Sequence, residues 1–262
     1  MHILALIFVA AAGATFCGAA VLRWLALARG ADARRGWWAI WLGIALLSLG
    51  LIASLLDGTH LPFTYGVLGS WAAVASVVFL ARYLTLPSRG LLVLPVGGMA
   101  LLVAMASIAG PNRAAPEQAV PWITMVHVAF MATHMAAVLV TGAAGCLWLL
   151  TRRQLKAAAP GVLKLPSLPL SATVVDRGMV VSAALLIGGL ATGGAAMQQA
   201  PDFTLAHGTP ILALVAMALL IALLGLRASG TGHRRSLAWG SLVLLLVTAS
   251  SVVSLLVSPP HG

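Results

Sequence analysis

The stretch Thr124–Val138 reads TMVHVAFMATHMAAV, an almost wholly apolar run that nevertheless carries two histidines, His127 and His134. It lies within a longer apolar segment, 121–151. Because about 20 consecutive apolar residues span a bilayer as a helix, this segment predicts a transmembrane helix. Histidines separated by seven residues share one face of such a helix, about 10 Å apart along its axis. Ionisable side chains inside a membrane are costly and by default mark functional sites, so the pair indicates a bound group.

The rest of the chain has the same character. Hydrophobic residues make up 61% and charged residues 8% of it, and the mean hydropathy is +1.05. Soluble domains carry about 25% charged residues. We therefore predict one all-α transmembrane domain over residues 1–262, a polytopic bundle of eight helices. The predicted spans are 3–28, 37–56, 64–84, 91–109, 121–151, 177–199, 209–226 and 236–257.

The basic residues predict how the bundle is oriented. All but one of the 15 Lys and Arg residues lie in or beside the loops 29–36, 85–90, 152–176 and 227–235, and Arg113 is the exception. Since Lys and Arg accumulate in cytoplasmic loops, both termini are expected to be extracytoplasmic in a bacterial inner membrane. Anionic lipid headgroups beside these loops account for the net charge of +10, and no nucleic-acid partner is predicted.

Several classes of function lack their signatures. Cys17 and Cys146 form no CxxC or CxxCH motif, which excludes a redox pair and a covalent haem attachment site. The sequence contains no phosphate-binding loop, no dinucleotide fingerprint and no Ser-His-Asp pattern. Asp176 is expected at the inner start of the sixth span, and no carboxylate is expected mid-span, which argues against ion-coupled transport. No catalytic residues are predicted.

The histidines concentrate at one membrane face. On the predicted topology, the outer face holds His2, His60, His127, His207 and His261. His134 lies two turns deeper than His127, and only His233 is cytoplasmic. Imidazole is the usual axial ligand of b-type haem. Two other interpretations stay open: a packing histidine bonded to a neighbouring carbonyl, and a metal site built from three or four converging histidines.

Four stretches together resemble a known family, the CcsA/HemX-type cytochrome c assembly proteins, including the small YpjD-like inner membrane proteins. Their order and spacing, rather than any single motif, carry the resemblance, which runs along most of the chain. The stretches are GTHLPFTYGVLGSWAAVASVVFLARY (58–83), SRGLLVLPVGGMALLVAMASIAGP (88–111), MVHVAFMATHMAAVLVTGAAGCLWLLTRRQLK (125–156) and LPSLPLSATVVDRGMVVSAALLIGGLATG (165–193).

The resemblance implies that His127 and His261 are outward-facing ligands of a b-type haem, so that both would bind its iron. His134, His207 and His60 are further candidates, and Trp122 is expected to border the site. The chain also departs from the family. The loop between the sixth and seventh spans, AMQQAPDFTLAHGTP (196–210), has none of the family's tryptophans. Leu47 and Gly225 stand where larger members carry histidines within the membrane.

Three hypotheses follow. The first is haem handling during cytochrome c assembly, and the second is a haem-bearing electron-transfer subunit of a respiratory or photosynthetic complex. The third is a haem-free scaffold in such a complex. Each implies membrane lipid and other membrane or periplasmic proteins as partners. The Gly189–Gly193 spacing on the sixth span predicts either close helix packing or room for a flat porphyrin.

Overall fold

The computed structural model describes residues 2–29, 34–57, 61–83, 93–109, 122–157, 165–197, 208–230 and 234–257. Over these ranges the chain is all helical and contains no strand. The eight helices are α1 (His2–Arg29), α2 (Arg34–Asp57), α3 (Leu61–Tyr83), α4 (Val93–Ala109), α5 (Trp122–Ala157), α6 (Leu168–Met197), α7 (Gly208–Ala228) and α8 (Arg234–Val257). The predicted all-α fold with eight helices is confirmed.

Five of the helices, α1, α2, α5, α6 and α7, are long and apolar enough to cross a membrane, judged by length and composition. The described apolar stretches of α3 and α4 are shorter, Gly66–Phe79 and Val93–Val103. Helices suit lipid because every backbone group is satisfied within the segment. Threonine hydroxyls are also satisfied within their own helix. Thr15, Thr133 and Thr141 each donate to the carbonyl four residues earlier, at 2.6 to 2.7 Å.

The α5–α6 connection is shorter than the sequence predicted. Helix α5 continues to Ala157 instead of residue 151, and α6 begins at Leu168 instead of residue 177. The predicted loop over 152–176 is therefore too long, because α5 and α6 extend into it from both ends and Pro169 lies inside α6. In the first turn a proline is tolerated, since its missing N–H would have no intrahelical partner there. Ser167 precedes this turn, and its carbonyl accepts the N–H of Ser171 at 3.1 Å.

The chain divides into two compact units of four helices each. The first holds α1 to α4, with α1 packed on α2 and α4, and α3 packed on α2 and α4. Trp71 Nε1 on α3 donates to Ser48 Oγ on α2 at 2.9 Å. The single transmembrane domain expected over 1–262 stays a prediction.

Within the first unit, the antiparallel α1–α2 pair repeats one contact every seven residues. Three glycines of α2, each beside one side chain of α1, make the series: Gly36 with Arg23, Gly43 with Phe16 and Gly50 with Val9. A Cβ on Gly43 would lie 2.6 Å from Phe16 Cε1, so the phenyl ring occupies the space that a larger residue would need. Small residues let membrane helices approach closely in this way.

The second unit is organised around α5, which packs on both α6 and α8, while α7 packs on α8 and α6. Helix α5 has 36 residues and is about 54 Å long, longer than the hydrocarbon core of a bilayer, which is about 30 Å. Its α8-facing side carries Gly142 and Gly145, and a Cβ on Gly145 would lie 2.9 Å from the Ala238 carbonyl oxygen. The other side faces α6 and carries both histidines.

Candidate functional site

The α5–α6 pair is antiparallel, and side chains of α5 fit against small residues of α6 along its whole length. From the start of α5 onwards, the partners are His127 with Gly193, Met131 with Gly189, His134 with Ser182 and Thr141 with Gly178. Near the far end of α5, Thr151 Oγ1 donates to the Pro166 carbonyl at 3.2 Å. The histidines thus lie in the helix–helix interface, at its end and near its middle.

His127 is half-buried in the second turn of α5. Its Nδ1 lies 2.8 Å from the carbonyl oxygen of Gly189. Since a carbonyl only accepts, the Nδ1–H donates, which leaves Nε2 as the ring nitrogen that could act as a ligand. A Cβ on Gly193 would lie 2.8 Å from Cε1 and 3.0 Å from Nδ1 of this ring. The imidazole is therefore oriented by one carbonyl and accommodated by one glycine.

His134 makes the same hydrogen bond in a different environment. Its Nδ1 lies 2.9 Å from the Ser182 carbonyl oxygen, and its side chain is only 1% exposed. An Nε2 enclosed in this way has no room for a ligand of haem size. The structure therefore places His134 as an interhelical packing residue, the alternative that the sequence left open.

The glycines of α6 serve close packing. Cβ atoms on Gly188 and Gly189 would lie 2.7 Å from Phe130 Cε1 and 2.6 Å from Met131 Sδ, respectively. Side chains of α5 therefore fill the space that was considered for a flat porphyrin between the two helices. A group bound by His127 would have to lie beyond the helix pair, toward the start of α5.

The remaining predicted residues are not brought together with His127 over the ranges described. His261, His207 and His60 lie outside those ranges. Trp122 is the first residue of α5 and is 73% exposed, as is typical of tryptophans that anchor a helix at headgroup level. Among the described residues, no group of three or more His, Cys, Asp or Glu side chains could hold a metal ion. Cys17 and Cys146 are free thiols.

Sequence reasoning missed a second polar cluster, at the other end of the second unit. Asp176 lies in the third turn of α6, where its Oδ2 is 2.5 Å from Arg234 Nη1 on α8 and its Oδ1 is 4.0 Å from Arg227 Nε on α7. One carboxylate therefore ties three helices together. The signal available was that Asp176 is the only acidic residue between 122 and 201, within a chain of five acids.

The residues present fit one axial position of a haem. The fit rests on the half-buried ring of His127 and on the contact of its Nδ1 with the Gly189 carbonyl, which makes Nε2 the ring atom that could ligate a metal. Metal-bound histidines typically donate their other N–H to a carbonyl or a carboxylate in this manner. No protein-family model, curated protein or solved structure matches the chain.

Proposed function

We propose that this protein is a multi-pass protein of a bacterial inner membrane that handles b-type haem at its outer face through His127. The observation that carries the proposal is the hydrogen bond from His127 Nδ1–H to the Gly189 carbonyl at 2.8 Å. It holds the tautomer in which Nε2 can ligate iron, and it fixes the plane of the ring. The resemblance to cytochrome c assembly proteins supports the same assignment.

The roles of this chain's residues follow from that bond. Gly189 orients the imidazole through its carbonyl, Gly193 leaves space for it, and the ring is half-buried. A b-type haem would supply an iron centre able to take a second axial ligand. His261 is proposed for that position, with His207 and His60 as the other outer histidines. His134 is not proposed as a ligand, because its ring is enclosed between α5 and α6.

Two functions are compatible with a haem held in this way. Transient holding would serve cytochrome c assembly, and permanent holding would serve electron transfer in a respiratory or photosynthetic complex. The lack of tryptophan in 196–210 and the residues Leu47 and Gly225 in place of membrane histidines separate this chain from full haem-transferring members of the family. We therefore propose haem holding at the outer face, without a relay through the membrane.

A second candidate is a haem-free membrane subunit that acts as a scaffold. It is favoured by one observation, namely that His127 makes the same Nδ1–carbonyl bond as the fully buried His134. If both bonds serve helix packing alone, the two histidines differ only in depth. The experiment below separates these two candidates.

The test is the visible spectrum of the protein purified in detergent from haem-replete cells, oxidised and after reduction with dithionite. We expect a sharp reduced α-band that is lost in His127→Ala and His261→Ala. The matched control is His233→Ala, which removes a histidine predicted to lie at the opposite face, and it should keep the band.

A colourless wild-type protein would support the scaffold. A band that survives His127→Ala would also overturn the proposal, since it would assign the haem to other ligands. A partner that co-purifies stoichiometrically with the coloured protein would favour permanent electron transfer, and a band that transfers to added apocytochrome would favour assembly.

A further inference from the structure

A cleft opens between α5, α6 and α8 at the end of the second unit far from His127. Trp148 of α5 forms one wall, Val175 of α6 a second, and Leu237 and Ala238 of α8 a third. Trp148 lies 21 residues beyond His127 on α5, which corresponds to about 30 Å along the helix. This distance matches the thickness of a hydrocarbon core, and on the predicted topology the cleft belongs to the cytoplasmic face, opposite His127.

The rim of this cleft is charged. Asp176 and Arg234 line it, and the guanidinium of Arg152 stacks over the Trp148 ring, 5.4 Å from its centroid. Arg227 approaches the same carboxylate at 4.0 Å. Three guanidinium groups therefore lie against residues of the cleft, Arg152 against Trp148 and the other two against Asp176, so the single carboxylate leaves two positive charges in excess.

Both arginines at the mouth of the cleft retain hydrogen-bonding capacity. The side chain of Arg234 is 57% exposed, and one of its N–H groups donates a hydrogen bond to Asp176. A guanidinium has five N–H donors in a planar fork. The Cζ atom of Arg152 lies over the Trp148 ring, a cation–π contact that uses none of the N–H donors of the guanidinium.

The enclosed space is too small for a free organic ligand. Its volume is about 10 Å³, room for about one water molecule. A ligand must therefore rest across the mouth, with an anionic group on the arginines and an apolar part along the outer surface of the helices. Leu150 and Leu155 of α5 and Trp239 of α8 are exposed near this end and provide such a surface.

We propose that Arg152 and Arg234 bind the phosphate of an anionic phospholipid at this cleft. Arginine pairs with phosphate through two parallel N–H···O bonds, and basic pockets between membrane helices suit such headgroups. The charge excess disfavours zwitterionic lipids, whose choline or ethanolamine ammonium would approach the same guanidinium groups. The contact with the Trp148 ring holds the guanidinium of Arg152 beside the cleft. This site is separate from the one proposed for haem.

The experiment is native mass spectrometry of the full chain released from detergent, titrated with phosphatidylglycerol or with phosphatidylcholine bearing the same acyl chains. We expect one phosphatidylglycerol to bind at least about tenfold more tightly than phosphatidylcholine. Arg152→Gln and Arg234→Gln should each weaken that binding by about tenfold. The matched control is Arg153→Gln, which removes the same charge from the exposed neighbouring position and should keep the affinity.

Equal weakening in Arg152→Gln and Arg153→Gln would overturn the proposal, because it would reduce the effect to overall charge. Equal affinity for the two lipids would also overturn it. Inorganic phosphate forms a separate arm: displacement of the lipid by phosphate at equal concentration would assign the site to free phosphate instead. Arg234→Gln changes an exposed side chain, so it tests the proposal even if Arg152→Gln does not fold.

Discussion

The α1–α2 and α5–α6 pairs follow one packing rule with different side chains. In both pairs the helices are antiparallel, and side chains of one helix fit against glycine or serine on the other. On α1 these side chains are Val9, Phe16 and Arg23, spaced by seven residues. On α5 they include His127 and His134, which are also spaced by seven and which donate hydrogen bonds to carbonyls of α6.

The two pairs differ in the kind of contact that holds their helices together. Along most of α1–α2, van der Waals contact between side chains and glycines holds the helices together. Along α5–α6, two imidazoles also donate to backbone carbonyls of α6, because a carbonyl oxygen can accept more than one hydrogen bond. In lipid such interhelical bonds contribute about 0.6 kcal/mol on average, so their main effect is to define the register of the pair.

The largest expected effect comes from removing the buried histidine. His134→Ala should lower the free energy of unfolding by about 3 kcal/mol, because it leaves a cavity and loses the bond to Ser182. His127→Ala should lower it by about 1 kcal/mol, since that ring is only half-buried. SDS titration in mixed micelles measures both values.

Ser182→Ala is the control for this prediction. It keeps the backbone carbonyl, and the buried Ser182 Oγ has no hydrogen-bond partner among the described residues, so stability should stay unchanged or rise slightly. Equal losses in His127→Ala and His134→Ala would contradict the distinction between an accessible and an enclosed imidazole.

The next effect tests the glycine series of α1–α2. Gly43→Ala should destabilise the protein by about 2 kcal/mol, because the new Cβ would lie 2.6 Å from a fully buried phenyl ring. Thermal unfolding in detergent gives the comparison. Combining the change with Phe16→Leu should recover part of the loss, since the smaller side chain vacates the contact.

The exposed Gly18 supplies the control for the α1–α2 test. A Cβ there would meet nothing within 4 Å, so Gly18→Ala should be nearly neutral. A loss as large as that of Gly43→Ala would indicate that helix flexibility, and not the Phe16 contact, sets the stability.

The smallest effect on stability should come from neighbouring glycines at the end of α5–α6. Gly193→Ala would press on His127 and tilt the imidazole, with a loss of about 1 kcal/mol. If haem is bound, the reduced α-band should also shift or weaken, because ring orientation tunes the iron. Gly194→Ala is the control, since it adds the same methyl group where a Cβ would meet nothing within 4 Å. It should change neither the stability nor the α-band. An identical response of the two variants would contradict the idea that Gly193 acts through its contact with His127.

Most of the secondary structure could be predicted from the apolar runs. Each of the eight predicted spans is helical over the residues that the structure describes, because in this composition only helices satisfy the backbone over such lengths. The start of α6 was predicted nine residues too late, at 177 instead of Leu168. The stretch between contains Pro169 and Asp176, and the sequence does not show that Pro169 falls in the first turn, where proline is compatible with a helix.

The candidate site could be predicted only in part. The sequence singled out His127 and His134 as a pair on one face, and they do share the face toward α6. It could not distinguish their roles, because exposure depends on which neighbour covers each ring. The Asp176–Arg227–Arg234 cluster was also missed, since it joins residues of three helices that are up to 58 positions apart.

By itself, then, the sequence determined the all-helical class, the number of helices and the asymmetric distribution of basic residues, since these depend on local composition and on run length. Only the tertiary structure decided which glycines are contact sites, which histidine is enclosed and which arginines meet Asp176. Those features depend on the register between helices, and register is set by contacts between residues distant in the chain.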